Sequence, residues 1–180
     1  MIINKINSGS YCKVYLAKEL HNSEKLFAVK MYQKKLLFKS KESLSNIRRE
    51  KYFTENISNP FIINLEDSFQ NKHFVFLIYK YHKHGDLFNL LKKSRFLPSE
   101  SLAQFFIIQM YEALSHLHKE NIVFRDLKLE NIIIDDFGYL KLIDFGFTKQ
   151  LDKGQTEVRE SFLCGTLEYL CKSTLFKNSA

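Results

Sequence analysis

Two short runs concentrate the residues whose types and spacing could do chemistry. They are Arg125-Asp126-Leu127-Lys128-Leu129-Glu130-Asn131 and, thirteen positions beyond Asn131, Asp144-Phe145-Gly146. A carboxylate, a cation two residues on, an amide and a second carboxylate suit transfer of a phosphoryl group from a nucleotide to a hydroxyl. That reaction asks a protein to position an acceptor and neutralise phosphate charge, with little covalent work of its own. Asp126 is suited to orient and deprotonate the acceptor, and Lys128 to stabilise charge on the group in flight. Asn131 offers a neutral oxygen and Asp144 a charged one, both hard donors of the kind magnesium takes. The Asp-Phe-Gly tripeptide alone arises by chance in about one chain in fifty of this length. Its place after the first run, across an apolar hairpin, makes the combination specific.

Such groups need elements to hold them. The apolar segments 131–134 and 139–143, joined by Asp135-Asp136-Phe137-Gly138, predict a hairpin that brings Asn131 and Asp144 near one another. Upstream, residues 99–119 predict a helix capped by Ser99, with Glu100 at its positive end. Leu102, Phe105, Phe106, Met110, Ala113, Leu114 and Leu117 form a broad apolar stripe, so this helix is expected to be largely buried. The first part reads differently. Strands are expected over 10–18 and 26–32 around the turn signal His21-Asn22-Ser23, then a helix within 38–55. Two more strands, over 62–69 and 73–79, flank Gln70-Asn71-Lys72. The class is α+β, a small antiparallel sheet with one helix followed by a helical part.

Composition places the chain among globular proteins, with 45% hydrophobic and 26% charged residues in 180. The longest strongly apolar run, Phe74 to Tyr79, is too short to cross a bilayer, and no signal core follows the N-terminus. A cytoplasmic protein is the expectation. Cys12, Cys164 and Cys171 are odd in number and lack metal-ligand spacing, which argues for reduced thiols and against a disulfide framework or zinc site. The net charge of +7 comes from lysine-rich clusters with no nucleic-acid motif beside them. They read as a solvated face, and a nucleic-acid partner is not expected.

Residues 122–170 resemble the catalytic loop, metal loop and activation segment of protein kinases, most closely the cyclic-nucleotide-dependent (AGC-type) branch. The resemblance rests on Phe124 through Asn131, on Asp144-Phe145-Gly146-Phe147-Thr148-Lys149, and on Leu163-Cys164-Gly165-Thr166-Leu167-Glu168-Tyr169-Leu170. Lys128 and Thr166 imply serine/threonine rather than tyrosine substrates. The resemblance reaches back to Ile6. Ala28-Val29-Lys30 resembles the strand whose lysine holds the α and β phosphates, and Glu50 its ion-pair partner. Glu50 is better placed than Glu55, because it lies the expected distance before Asn59-Pro60-Phe61. Asp86, after His84-Gly85, resembles the acid that binds the ribose hydroxyls, and is equally suited to cap a helix over 87–91. Val14, Ala28 and Ile133 fit the apolar faces that sandwich adenine, Tyr79 the position guarding the back of the pocket, and Gly9 the middle glycine of the phosphate-covering loop. The implied fold is protein-kinase-like and two-lobed, with an N-terminal lobe over 1–79, a hinge over 80–84 and an incomplete helical lobe over 85–180. ATP, Mg2+ and a protein substrate with a Ser/Thr acceptor follow from the resemblance, together with a regulatory subunit or an upstream kinase.

The chain also departs from the family. Asn7 and Cys12 stand where the outer two glycines of the phosphate loop would be, which implies weakened ATP affinity. Phe124 replaces a histidine or tyrosine and is expected to pack on Phe145. Phe162 stands where an activating phosphothreonine is usual, leaving Ser161 or Thr156 as acceptors, or Glu160 as a fixed charge. After Leu170 the family continues with Ala-Pro-Glu, whereas this chain reads Cys171-Lys172-Ser173, so the large lobe is expected to be truncated and to expose apolar surface on the helix over 99–119. The alternative to an active kinase is a nucleotide-binding, catalytically silent relative that acts through partners.

Overall fold

In the computed structural model, which describes residues 1–9, 12–20, 24–94, 98–152, 155 and 165–169, one antiparallel sheet dominates the first eighty positions. Its strands are β1 (Ile2–Ser8), β2 (Cys12–Lys18), β3 (Leu26–Gln33), β4 (Leu65–Gln70) and β5 (Phe74–Lys80), in the order β1-β2-β3-β5-β4. Side chains alternate across a strand, so Ala28, Lys30 and Tyr32 share one face of β3. The register sets Cys12 opposite Tyr32, Val14 opposite Lys30, and Tyr79 opposite Ala28. Directly paired residues project to the same side, and that side therefore carries Cys12, Val14, Ala28, Lys30, Tyr32 and Tyr79 together.

Two helices follow β3, the short α1 (Lys34–Leu37) and α2 (Lys41–Asn56). Ser40 caps α2 by accepting from the Ser43 amide at 3.3 Å, and Glu42 sits at its positive end. Ile47, Glu50, Phe53 and Thr54 are its buried residues, spaced at three, four and seven positions as one helical face requires. A carboxylate on that stripe must find partners there, because an unpaired buried charge is costly.

The second part begins with α3 (Leu87–Ser94) and α4 (Glu100–Lys119). The short strands β6 (Ile122–Val123) and β9 (Lys149–Gln150) pair with one another, as do β7 (Ile132–Ile134) and β8 (Leu140–Leu142). The expected hairpin turn is present: Asp135 Oδ1 accepts from the amides of Phe137 and Tyr139, both at 2.9 Å, and Gly138 takes a φ of +89° that favours glycine. Ile62, Leu77, Leu117, Leu140, Leu142 and Phe145 are fully buried. They belong to one core that spans both parts. The Leu142 amide donates to the Phe61 carbonyl and the Ile63 amide to the Leu142 carbonyl, tying the hairpin to the segment after α2.

Three sequence expectations change. β1 was not anticipated, and its wholly exposed residues give no periodic signal. The strand expected from 62 begins only at Leu65, because Ile62 instead bridges in parallel to Leu142. The helix over 99–119 is capped by Ser99 as expected but is not largely buried. Gln109, Met110, Ala113 and Leu117 are buried, while Phe105, Ile107, Ile108 and Tyr111 are exposed, since α4 packs through one face against β6 and β8. Among the described residues no helix is long and apolar enough to cross a membrane.

Candidate active site

Lys30 and Glu50 meet between β3 and α2. The lysine Nζ lies 2.5 Å from Glu50 Oε1 and 3.6 Å from Asp144 Oδ1. Burial works against the ammonium charge, but Asp144 and Glu50 together outweigh it and hold the lysine pKa well above its ordinary value. Glu55, the neighbouring acid, pairs only with Lys51 at 4.0 Å on the surface. Glu50 is the partner of Lys30, as the resemblance implied.

The second cluster forms where β6 gives way to β7. Asp126, only 5% exposed, has both oxygens engaged. Oδ1 accepts from Thr166 Oγ1 at 2.9 Å, and Oδ2 accepts from Lys128 Nζ and Asn131 Nδ2, each at 2.8 Å. Lys128 also donates to Thr166 Oγ1 at 2.8 Å, and Asn131 Nδ2 to the Asp126 carbonyl at 2.8 Å. Donor accounting then assigns the remaining valences. Both N–H groups of the Asn131 amide are used inward, which leaves its Oδ1 for a cation. Lys128 has a third N–H for an anionic oxygen.

Backbone conformation aims these groups. Arg125 and Asp144 both take the left-handed region, at φ +72° and +66°, where a residue with a side chain is held only by its surroundings. Arg125 Nε donates to the Phe147 carbonyl at 2.5 Å, joining the two loops. Phe145 is fully buried, with its ring 5.1 Å from Phe124 at 74° and 6.5 Å from Phe53 on α2. Phe124 therefore packs as expected.

A cleft of about 800 Å³ separates the sheet from the β7–β8 hairpin. That volume suits a cofactor-sized molecule. Val14 and Ala28 line it from the sheet, Ile133 from the hairpin, and Lys30, Asn131 and Asp144 from its inner end. Asp86 lines it too, and caps α3 at the same time: its oxygens accept from the Asn89 amide and side chain, both at 2.7 Å. Gly9 lies in the cleft wall with its amide on the Cys12 carbonyl at 2.8 Å, and its φ is outside the left-handed region, so what it provides is close approach rather than an unusual turn. Cys12 lines the cleft as well, and burial pushes its thiol up to about 11. Thr156, Glu160, Ser161, Phe162 and the stretch from Leu170 onward lie outside the described residues.

Two residues that sequence reasoning passed over belong to this site. Tyr32 donates to Glu50 Oε2 at 2.7 Å, and Gln109 accepts from the Leu140 amide at 2.7 Å, fastening the hairpin to α4. The only sequence signal for Tyr32 is its position two residues beyond Lys30 on a strand. Tyr79, expected at the back of the cleft, is there, but its hydroxyl turns to Glu50 Oε1 at 3.0 Å.

Comparison with known proteins agrees with this geometry. The chain is 40% identical over 174 residues to serine/threonine-protein kinase Sgk1 of Xenopus tropicalis, covering 96% of this chain and 40% of that protein. Human Sgk1 is 39% identical over 96% of this chain and 39% of its own length. Ribosomal protein S6 kinase beta of Caenorhabditis elegans is 31% identical over 98% of this chain and 32% of its own. The chain thus spans well under half the length of these relatives, which are AGC-type kinases. The family model described as protein kinase domain matches residues 1–179, and with the ion pair, the Asp126 network and the cleft in place, the chain belongs to the protein kinase domain family.

Proposed function

We propose that the cleft binds ATP with magnesium and that this chain carries the catalytic groups for phosphorylating serine and threonine hydroxyls of proteins. The observation that carries this reading is the network on Asp126, in which Lys128, Asn131 and Thr166 fix both carboxylate oxygens. An aspartate so held is aimed before substrate arrives, which is where positioning catalysis gains most. Asp126 orients the acceptor hydroxyl and takes its proton. Lys128, through its remaining N–H, stabilises the phosphoryl oxygens. Lys30, fixed by Glu50, binds the α and β phosphates. Val14, Ala28 and Ile133 sandwich adenine, and Asp86 accepts from the ribose hydroxyls.

Asn131 Oδ1 and Asp144 would hold magnesium, and when bound the ion neutralises phosphate charge. The donor set fits. A pair of hard oxygens beside phosphates is what magnesium prefers. We infer the same division as the sequence suggested, with a sheet lobe over 1–79, a hinge over 80–84 and the catalytic lobe beyond it. Ser161 or Thr156 is the acceptor we assign to an upstream kinase, with a fixed charge at Glu160 as the alternative, and phosphopeptide mapping of active protein tests them. A catalytically silent reading has no observation among the described residues in its favour.

The decisive measurement is phosphate transfer from labelled ATP to Ser/Thr peptides. Asp126→Asn is expected to lower kcat by about 10²–10⁴-fold. Equal signals from the wild type and this variant would reject the reading.

A further inference from the structure

The Lys30–Glu50 ion pair has more partners than its reaction requires. Glu50 collects three donors, with Lys30 and the Tyr79 hydroxyl on Oε1 at 2.5 and 3.0 Å and the Tyr32 hydroxyl on Oε2 at 2.7 Å. The carboxylate and both phenols are buried: Glu50 is 3% exposed, Tyr79 5% and Tyr32 6%. The convergence follows from strand geometry. Lys30 and Tyr32 are two apart on β3, Tyr79 is paired with Ala28 on the adjoining strand, and the three project from one face toward α2. Thr54, one turn beyond Glu50, donates to the Glu50 carbonyl at 2.7 Å and touches the Tyr79 hydroxyl at 3.4 Å.

We propose that Tyr32 and Tyr79 are positioning residues that clamp Glu50, and through it α2 and Lys30, in the arrangement phosphoryl transfer needs, without help from nucleotide or from a phosphorylated segment. The inference rests on the kinase reading and deepens it. Lys30 has a second acid within reach, Asp144 at 3.6 Å, so a Glu50 held by lysine alone could swing out while the lysine kept an anionic partner. Two hydroxyls anchored on neighbouring strands prevent this, because turning the carboxylate away leaves buried donors unsatisfied. Both phenols remain donors at any physiological pH: burial first, and then the charge of Glu50, push them well above their ordinary pKa.

The test replaces only hydroxyls. Tyr32→Phe, Tyr79→Phe and the double variant are compared with the wild type in two ways, by kinase kinetics and by amide hydrogen exchange of α2 in nucleotide-free protein. The double variant is expected to lose about tenfold in kcat, the size of a hydrogen bond to a charged group. KM for ATP is expected to change by less than about threefold, since the clamp acts on alignment rather than on binding. Exchange across 47–56 is expected to quicken. In a Glu50→Ala background the same two replacements should change neither quantity, because the hydroxyls act through Glu50. Unchanged kcat in the double variant overturns the proposal. So does an equal acceleration of exchange with Glu50 absent, which would make the hydroxyls plain core contacts. A wild type no more active than Asp126→Asn means that the kinase reading itself has failed. Exchange then decides alone, with faster α2 exchange upholding the clamp and unchanged exchange overturning it.

Discussion

Thr166 illustrates how much a single hydroxyl can do at this site. Its oxygen accepts from Lys128 at 2.8 Å and its proton goes to Asp126 Oδ1 at 2.9 Å, closing a ring of three side chains, Asp126, Lys128 and Thr166. Thr166→Ala is expected to lower kcat about tenfold with little effect on KM for ATP, and Thr166→Ser to restore most of the loss. Steady-state kinetics of the two variants separates alignment from folding. In the cleft wall, Cys12 occupies a position where the resemblance would place a glycine. With its pKa raised to about 11 it is thiol at neutral pH. Roughly one molecule in ten thousand carries the reactive thiolate at pH 7, so alkylation by iodoacetamide should be far slower than for an ordinary cysteine. Rapid labelling at Cys12 under native conditions would contradict that placement.

At the scale of elements, the β7–β8 hairpin is the part that sets the distance between Asn131 and Asp144. Its own turn is closed by Asp135 and Gly138, yet its position in the molecule depends on two outside fastenings. One is the backbone bonding of Leu142 with Phe61 and Ile63, and the other is the buried Gln109 of α4 on the Leu140 amide. Gln109→Leu keeps the volume but leaves that amide without its partner. A loss of about 1–3 kcal/mol is expected, because an unsatisfied buried donor costs its full desolvation. Urea unfolding of the variant measures it, and an unchanged midpoint would show that the amide finds another acceptor. The opposite face of α4, with Ile107, Ile108 and Tyr111 exposed, contributes nothing to this fastening.

Across the whole molecule, the segment after β5 and the β7–β8 hairpin meet at His82. This histidine is 6% exposed, with Nδ1 3.8 Å from Asp136 Oδ2, and Lys80 lies 3.6 Å from the same oxygen. Burial lowers its pKa from 6.5; Asp136 opposes the shift, while Lys80 and Lys141 reinforce it. The folded state therefore favours the neutral ring. The associated stability is fully present above pH 6.5 and is lost as pH falls through the lower folded value. Denaturant midpoints should decline on acidification below about pH 6.5, and His82→Gln should flatten that part of the profile. A variant with the same slope as the wild type would assign the acid sensitivity to other groups.

Residue types and spacing along the chain were enough to pick out the candidate groups. Asp126, Lys128, Asn131 and Asp144 stand close along the chain, and local turns and a short hairpin are enough to gather them, so type and spacing carried the information. The Lys30–Glu50 pair is legible only through the family resemblance, which prefers Glu50 to Glu55 by its distance before Asn59-Pro60-Phe61. Contacts between elements distant in sequence became visible only in the folded molecule. Tyr32 and Tyr79 reach Glu50 because two neighbouring strands, β3 and β5, adopt one register beneath α2, and Gln109 reaches Leu140 across thirty-one positions. The extent of burial of α4 was likewise undecidable from its apolar stripe. Periodicity says that a helix has a greasy face, whereas which part of that face is covered depends on what packs there.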